Sequence, residues 1–286
     1  MTNTAIQIML EKYHPTNNIE RENAIKEIVQ EIVLAGLSKG GFFSKVAFYG
    51  GTCLRIFYGL NRFSEDLDFA IINHDSPLDI EDYFPSVKKE LASYGIDMDV
   101  TIKSKSADSE VQTAFVKGNT LTLLLQFFPN SEETRQTVGN QKIRIKFEID
   151  VDNPSGYKTE MKYRLLPAPY EVRTFDESSL FSGKIHALIC REYQHHVKGR
   201  DYYDYLFYCS KGTKINLPYL ENKLKNTGKI SSDTTLTIEM VKDMLRDKFN
   251  TIDYKSAKED VYNFLNDKEE IRLWSKELFL STLDKI

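Results

Sequence analysis

The sequence predicts an α+β protein in which a mixed sheet within residues 1–175 is followed by a helical bundle over residues 176–286. Two observations predict this arrangement. Between residues 45 and 175, segments with the two-residue alternation or β-rich composition of strands alternate with segments of helical spacing. Beyond about residue 176, apolar residues recur every three or four positions and strand patterns become rare. The change of pattern predicts two domains, 1–175 and 176–286.

The first predicted element is an amphipathic helix over residues 19–38. Ile25, Ile28 and Ile32 recur at intervals of three and four, as one face of a helix requires. Asn17 or Asn18 offers a side-chain cap for its start. The pair of glycines at 40–41 marks its end.

A strand that turns sharply into a short helix comes next. A short apolar run at 46–49 meets the glycine pair 50–51 and passes into helical spacing at 52–58. A second strand follows at 66–72. The remaining elements predicted before residue 175 are a helix at 77–94 and strands at 96–102, 112–116, 121–128 and 143–151. The helices predicted for the second domain are 180–193, 202–208, 217–224, 238–249, 257–264 and 271–283.

The composition excludes several classes of protein. With 41% apolar, 28% charged and 12% aromatic residues, the chain is expected to fold as a globular protein. No apolar stretch approaches the ~20 residues that span a bilayer, and the first residues lack a secretory signal pattern, so a cytoplasmic protein without membrane partner is expected. The formal charge of −4 means that a nucleic acid would have to meet a local basic patch.

The residues that point most clearly to chemistry are Asp66 and Asp68. They lie two apart in a predicted strand, so both carboxylates project from the same face, close enough to share one or two hard cations. Mg²⁺ or Mn²⁺ held by such a pair and by substrate phosphates is a common arrangement for nucleotidyl transfer. The alternative is two solvated charges on an edge strand. The pair is favoured as a site because like charges side by side destabilise a strand.

Further candidates surround this pair in the sequence. The hydroxyl of Ser64 can contact a triphosphate, and the turn at Gly50 and Gly51 brings backbone close to the same place. Glu148 and Asp150 alternate with apolar residues in another predicted strand, where either can be a further metal ligand or a base. Solvated surface charge is the alternative for each taken singly.

A local basic patch is predicted between residues 184 and 200. Seven basic residues fall in this stretch and only Glu192 opposes them. They are Lys184, His186, Arg191, His195, His196, Lys198 and Arg200. The histidines lack metal-ligand spacing with cysteines, so a zinc site is not expected.

Several sequence blocks together resemble a known family. The sequence resembles the AbiEii/AbiGii toxins in three blocks. The first is GGTCLR followed by YG and RFSEDLDF, the second is KFEIDVDNP at 146–154, and the third runs from GKIHALICR to VKGRDYYD at 183–204. That family (DUF1814) is a branch of the DNA polymerase β-like nucleotidyltransferase superfamily. The resemblance covers residues 45–210 approximately and implies a polymerase β-like domain with a mixed sheet, followed by the helical bundle.

The resemblance also implies roles for residues. Ser64 corresponds to the triphosphate-binding motif, Asp66 and Asp68 to the metal-binding pair, and Glu148 or Asp150 to a third carboxylate. Lys184 and Asp201 correspond to active-site residues of the second block. Lys184 would neutralise phosphate charge on the leaving pyrophosphate, assisted by Arg200. For Asp201, an N-cap of the following helix is the alternative.

The function implied is a metal-dependent nucleotidyltransferase that moves NMP from an NTP to an acceptor hydroxyl. By resemblance, the acceptor is RNA, including the 3′ end of tRNA, and the biological role is that of a toxin with a cognate antitoxin protein. A non-catalytic nucleotide-binding or partner-binding module with the same fold is the alternative, because Phe63 stands where the superfamily has glycine. An antibiotic-modifying type of enzyme would need an acidic acceptor pocket, which the basic stretch disfavours.

Overall fold

A computed structural model of the chain describes residues 4–72, 78–102, 111–119, 142–192 and 196–286. The chain divides into two compact units. The first, here called the sheet unit, consists of residues 1–53, 63–152 and 160–174. The second, the helical unit, consists of residues 54–62, 153–159 and 175–286. The strand predicted at 121–128 lies outside the described residues.

The sheet unit is organised on one mixed sheet. Its strands are β1 (Val46–Tyr49), β2 (Asp66–Ile71), β3 (Asp99–Ile102), β4 (Val111–Asn119), β5 (Lys142–Asp150), β6 (Thr159–Arg164) and β7 (Tyr170–Phe175). Among the described residues these seven strands are ordered β3-β4-β5-β2-β1-β7-β6. β2 runs antiparallel to β1 and parallel to β5, so it is an interior strand with a partner on each side.

Helices cover the buried side of this sheet. They are α1 (Thr4–Leu10), α2 (Asn18–Lys39) and α4 (Phe84–Ser93), while α3 (Gly50–Tyr58) follows directly on β1. The side chain of Asn17 caps α2 by accepting a hydrogen bond from the amide of Glu20, and Gly40 ends the helix. The predicted helix 19–38 is therefore confirmed together with its start and stop signals.

The helical unit contains six α-helices among the described residues. They are α5 (Glu177–Cys190), α6 (Gly199–Lys211), α7 (Leu217–Asn226), α8 (Ile238–Thr251), α9 (Tyr254–Val261) and α10 (Lys276–Ser281). Aromatic side chains fill its core: the ring of Tyr205 lies 5.2 Å from that of Phe249 and 6.3 Å from that of Phe279. The predicted α+β class, a mixed sheet followed by helices, is confirmed.

The structure differs from the predicted elements at several places, and the α-helix predicted at 77–94 begins only at Phe84. Helix α1 and strands β6 and β7 were not predicted, since β6 reads TEMKYR and lacks a buried apolar alternation. The predicted helix 271–283 is broken, because Ser275 adopts an extended conformation and caps a new helix at the amide of Leu278. None of the described helices is both long and apolar enough to cross a membrane.

Candidate functional site

The two aspartates of β2 lie on the polar face of the sheet. Leu67 and Phe69 are fully buried, whereas Asp66 and Asp68, which alternate with them, are half-buried. Side chains two apart on a strand point the same way. The predicted common face of Asp66 and Asp68 is therefore present in the structure.

β5 adds two carboxylates beside this pair. In the parallel register between the strands, Asp68 is the partner of Glu148, and Asp150 lies opposite Ala70. Partners in a parallel pair project from the same face of the sheet. We call Asp66, Asp68, Glu148 and Asp150 the acidic face.

Gly50 makes room for the Asp68 carboxylate. The backbone of Gly50 has a φ of 81°, in the left-handed region, and a Cβ at this position would overlap Asp68 Oδ2. Gly51 follows as the second residue of α3. The glycine pair predicted to bring backbone close to the site thus approaches the aspartate itself.

Lys146 lies beside these carboxylates. Lys146 is the register partner of Asp66, and its Nζ lies 2.5 Å from Glu148 Oε1. Burial alone would lower the pKa of Lys146, but the hydrogen bond and charge of Glu148, with the charges of Asp66 and Asp68, raise that pKa above its ordinary value. Lys146 is therefore a cation that neutralises part of the acidic face, which the sequence analysis did not anticipate.

The acidic face has the donor chemistry of a hard-cation site. Its carboxylate oxygens are the ligands that Mg²⁺ and Mn²⁺ prefer, and a pair of carboxylates with substrate phosphates suffices for Mg²⁺. Among the residues that the structure describes, no group of three or more His, Cys, Asp or Glu side chains is already arranged to hold a metal ion. The fit thus rests on Asp66 and Asp68 with Glu148 adjacent.

Buried side chains form hydrogen bonds to the backbone at the start of β2. The side-chain amide of Gln30 in α2 donates to the carbonyls of Ser64 and Glu65, at 3.0 and 2.8 Å. The hydroxyl of Thr52 in α3 donates to the carbonyl of Asp66 at 2.5 Å. The Ser64 hydroxyl has no hydrogen-bond partner within the described residues. Ser64 is thus held by its backbone while its side chain stays available to a ligand.

Phe63, which replaces the glycine of the superfamily motif, belongs to the core. Its side chain is 5% exposed and its ring stacks on that of Tyr13 at 6.1 Å. The position before Ser64 therefore has a packing role in this chain.

The helical unit contains a row of five alternating charges, here called the charge chain: Arg62, Asp204, Lys184, Asp201 and Arg191. The Arg62 guanidinium makes two bonds of 2.7 Å to Asp204. Lys184 Nζ lies 2.8 Å from Asp204 and 2.7 Å from Asp201, which also contacts Arg191. Asp204 and Asp201 are 0% and 1% exposed. With three cations and two anions, the charge chain carries a net positive charge.

The environment of Asp201 excludes one of its two predicted roles, the N-cap. Burial would raise the pKa of its carboxyl, but Lys184, Arg191 and Lys198 lower that pKa to about 2. Helix α6 begins at Gly199 and has no side-chain cap, so the N-cap alternative for Asp201 is wrong. Its carboxylate holds Lys184 and Arg191 instead.

The predicted basic patch is largely paired with acids that are distant in sequence. Besides Lys184 and Arg191, which contact Asp201, Arg200 and His196 both contact Asp260, at 3.5 and 2.9 Å. The Arg200 guanidinium also lies 4.2 Å from the centre of the Phe264 ring. The expectation that only Glu192 opposes this stretch is therefore wrong, because folding brings Asp201, Asp204 and Asp260 against it.

Two further members of the patch are affected by burial. Burial lowers the pKa of His186 to about 4, and the charges of Lys223 and Arg191 add to this effect, so the imidazole is neutral at pH 7. Burial, then the charge of Arg191, lowers the pKa of Lys198. His195 lies outside the described residues.

Comparison with known families gives a decisive match. The profile described as "Nucleotidyl transferase AbiEii toxin, Type IV TA system" matches residues 32–281, which is most of the chain. The chain belongs to the AbiEii nucleotidyl transferase toxin family. This membership confirms the family predicted from the motifs and the enzyme class, a nucleotidyltransferase, and it implies an NTP as substrate.

Two solved structures are reported as neighbours of this AbiEii family member. JHP933 from Helicobacter pylori is 19% identical, with 91% of this chain and 92% of that chain covered and a TM-score of 0.47. MenT4, a nucleotidyltransferase toxin from Mycobacterium tuberculosis, is 14% identical, with 99% of both chains covered and a TM-score of 0.48. No curated protein matches the chain.

The AbiEii profile includes every site residue predicted from the sequence, but it begins after Gln30. Gln30, Thr52, Lys146, Arg62 and Asp204 were not predicted as site residues. A signal existed for Gln30, since it is a polar residue inside the apolar pattern of α2 and is 1% exposed. The pairing of Arg62 with Asp204 joins positions 142 residues apart, which sequence patterns do not reveal.

Proposed function

We propose that this AbiEii family member transfers NMP from an NTP to a hydroxyl of RNA, with release of pyrophosphate, and that Asp66 and Asp68 hold the divalent cations required. The observation that carries the proposal is the shared polar face of Asp66 and Asp68 on an interior strand, with Glu148 as the register partner of Asp68. Such a row of carboxylates binds hard cations and is otherwise destabilised by repulsion.

The reaction forms one bond and breaks another at the α-phosphorus. The acceptor hydroxyl oxygen bonds to this phosphorus, while the bond from the phosphorus to the oxygen shared with the β-phosphate breaks and pyrophosphate leaves. The hydroxyl proton passes to a carboxylate of the acidic face or to solvent. Bound Mg²⁺ supplies charge neutralisation and alignment of the phosphates.

Glu148 is the better candidate for the third carboxylate. It lies beside Asp68 in the register of β2 and β5. Asp150 lies one step further along β5, and its Oδ1 accepts a hydrogen bond from the amide of Asp152. Asp150 remains the alternative ligand, although its carboxylate already accepts a hydrogen bond in the turn after β5.

Gly50, Gly51 and Ser64 are proposed to receive the triphosphate. Gly50 packs against Asp68, and Ser64 lies two residues before Asp66 in sequence. A hydroxyl and nearby backbone amides are suited to phosphate oxygens. This part of the proposal also follows the family resemblance.

Lys184, Asp201 and Arg200 enter the proposal through the family resemblance. A carboxyl whose pKa is about 2 is a weak base, so we assign Asp201 to holding Lys184 in its protonated form. Burial would lower the pKa of Lys184, but Asp201 and Asp204 raise it. Lys184 thus keeps the positive charge needed to neutralise phosphate. Arg200 is bound to Asp260, which favours a supporting role.

The proposed acceptor is RNA, including the 3′ end of tRNA, and a cognate antitoxin protein is the proposed partner. Both follow from the family resemblance, and the matched profile names a toxin of a type IV toxin-antitoxin system. The family members act as nucleotidyl transferases, so an RNA hydroxyl is an acceptor of suitable chemistry.

The test is incubation of the purified chain with each NTP labelled at the α-phosphate, together with Mg²⁺ and total RNA. We expect label in an RNA band with at least one NTP and none with Asp66→Asn. Asp99→Asn is the matched control, because Asp99 is an exposed carboxylate on β3 of the same sheet. Loss of labelling in this control as well would argue against a specific role for Asp66.

The alternative is a module that binds nucleotide without turnover. It predicts NTP binding with no labelled RNA and no pyrophosphate release for any of the four NTPs. Its sequence support was the replacement of glycine by Phe63. Phe63 packs on Tyr13 in the core, which gives the replacement a structural reason, and we favour the enzyme because Asp66, Asp68 and Glu148 share one face.

A further inference from the structure

Three successive carbonyls in front of the acidic face are bound by two side chains from the interior of the sheet unit. Gln30 donates to the carbonyls of Ser64 and Glu65, and Thr52 donates to that of Asp66. Gln30 is 1% exposed and Thr52 is 0% exposed. Each carbonyl from 64 to 66 therefore accepts a hydrogen bond from a buried side chain, at the point where the chain enters β2.

A fourth contact holds the same segment. Lys26 lies one helical turn before Gln30 on α2, and its Nζ is 2.8 Å from Glu65 Oε1. The same face of α2 therefore binds the side chain of Glu65 and the backbone on both sides of it. The Glu65 carboxylate is directed to α2 and is kept apart from the row formed by Asp66 and Asp68.

We infer that Gln30 and Thr52 are positioning residues that set the Ser64–Asp66 backbone before nucleotide binds. The inference rests on the proposed function, since Ser64 and Asp66 are the groups that would contact the triphosphate and the cation. With the peptide planes fixed, the Ser64 hydroxyl and the Asp66 carboxylate are presented in one geometry. Misplacement of reacting groups by about 1 Å lowers rates by about 100-fold.

The two positions permit variants of matched shape. Thr52→Val keeps the shape and removes the donor, and Thr52→Ser keeps the donor. Gln30→Met keeps the length of the side chain and removes the amide. Tyr170→Phe is the control, because it removes another buried hydroxyl of the sheet unit, one that contacts Glu31 and not this segment.

Three readouts separate positioning from folding: amide hydrogen exchange in a peptide covering residues 63–68, kcat and KM for NTP, and the melting temperature. For Thr52→Val and Gln30→Met we expect faster exchange in this peptide and a kcat lowered about 10- to 100-fold, with KM changed less than about threefold. Thr52→Ser restores both exchange and kcat to within about twofold of wild type. Tyr170→Phe leaves the peptide's exchange and kcat as in wild type.

Two outcomes overturn the inference. One is wild-type exchange and kcat in Thr52→Val. The other is a defect in Thr52→Ser as large as that in Thr52→Val, which would indicate a packing effect and no role of the hydroxyl. If Gln30→Met does not fold, the Thr52 pair decides alone. If the wild-type chain transfers no NMP, the proposed function fails, and hydrogen exchange still decides whether the two side chains hold the segment.

Discussion

In the sheet unit, Asp66 and Asp68 are half-buried and share a face with Glu148, and Lys146 is drawn toward these carboxylates. In the helical unit, Asp201 and Asp204 are 1% and 0% exposed, and each contacts two cations. Buried carboxylates must be paired to be tolerated, and the charge chain satisfies that requirement within the protein. The acidic face places four carboxylates along two neighbouring strands, which is the ligand chemistry that a hard-cation site needs.

The largest effect that would sharpen this comparison concerns activity. In Asp68→Asn we expect NMP transfer to fall at least about 1,000-fold, because one of two cation ligands is lost. The melting temperature stays the same or rises, since a like-charge contact with Asp66 is relieved. Labelled-RNA assays and thermal unfolding measure the two quantities. A large drop in melting temperature would place Asp68 with the structural carboxylates.

The second effect concerns stability. Asp204→Asn removes the carboxylate that pairs with the buried Arg62 guanidinium at 2.7 Å, and we expect the free energy of unfolding to fall by about 3–5 kcal/mol. The double variant Arg62→Met with Asp204→Leu recovers part of the loss, because apolar side chains replace both charges. Urea unfolding tests this. A loss below about 1 kcal/mol in the single variant would contradict the structural role given to the pair.

A third effect, of intermediate size, is the dependence of the free energy of unfolding on pH. The folded-state pKa of Asp201 is about 2. The unfolded value is about 3.9, so its stabilising contribution of about 2 kcal/mol is present above pH 4 and is lost as pH falls from about 4 to 2. Urea midpoints at pH 5, 4 and 3 for wild type and Asp201→Asn should converge as pH falls. A constant difference would show that Asp201 does not titrate in this range.

The smallest effect tests Lys146. Lys146→Met removes a positive charge beside Glu148 and Asp66, so Mn²⁺ affinity should rise about threefold to tenfold, or about 1 kcal/mol. Titration with Mn²⁺ monitored by electron paramagnetic resonance measures this without turnover. Lys225→Met is the control, because Lys225 pairs with Glu221 on α7 of the helical unit. Weaker Mn²⁺ binding in Lys146→Met would indicate that the lysine supports the cation site.

Local patterns predicted much of the sheet unit. The spacing in α2, the Asn17 cap and the glycine pair after β1 act over a few residues, so they can be read from the sequence. The alternation in β2 and β5 placed the four carboxylates on the polar sides of their strands. β6 was not predicted because TEMKYR lacks a buried apolar alternation, whereas the alternation in YEVRTF of β7 was present in the sequence but was not recognised.

The parts of the site that the sequence did not reveal depend on distant contacts. The register that makes Glu148 the partner of Asp68 joins strands 80 positions apart in the chain. The Asp260 carboxylate pairs with the Arg200 guanidinium at 3.5 Å although the two residues are 60 positions apart. The number of basic residues between 184 and 200 therefore predicted a basic patch. In the folded chain, several of these residues form ion pairs with acidic residues from outside that stretch.

The boundary between the two units that falls between Arg62 and Phe63 affects how the protein can be divided for separate expression. Residues 54–62 belong to the helical unit although they lie between segments of the sheet unit. A truncated gene that stops at codon 175 would encode Arg62 but not Asp204, and the severed fragment would expose a guanidinium that normally has a buried counterion. To express the helical unit by itself, residues 54–62 must therefore be included with residues 175–286, and they must be left out of a gene for the sheet unit.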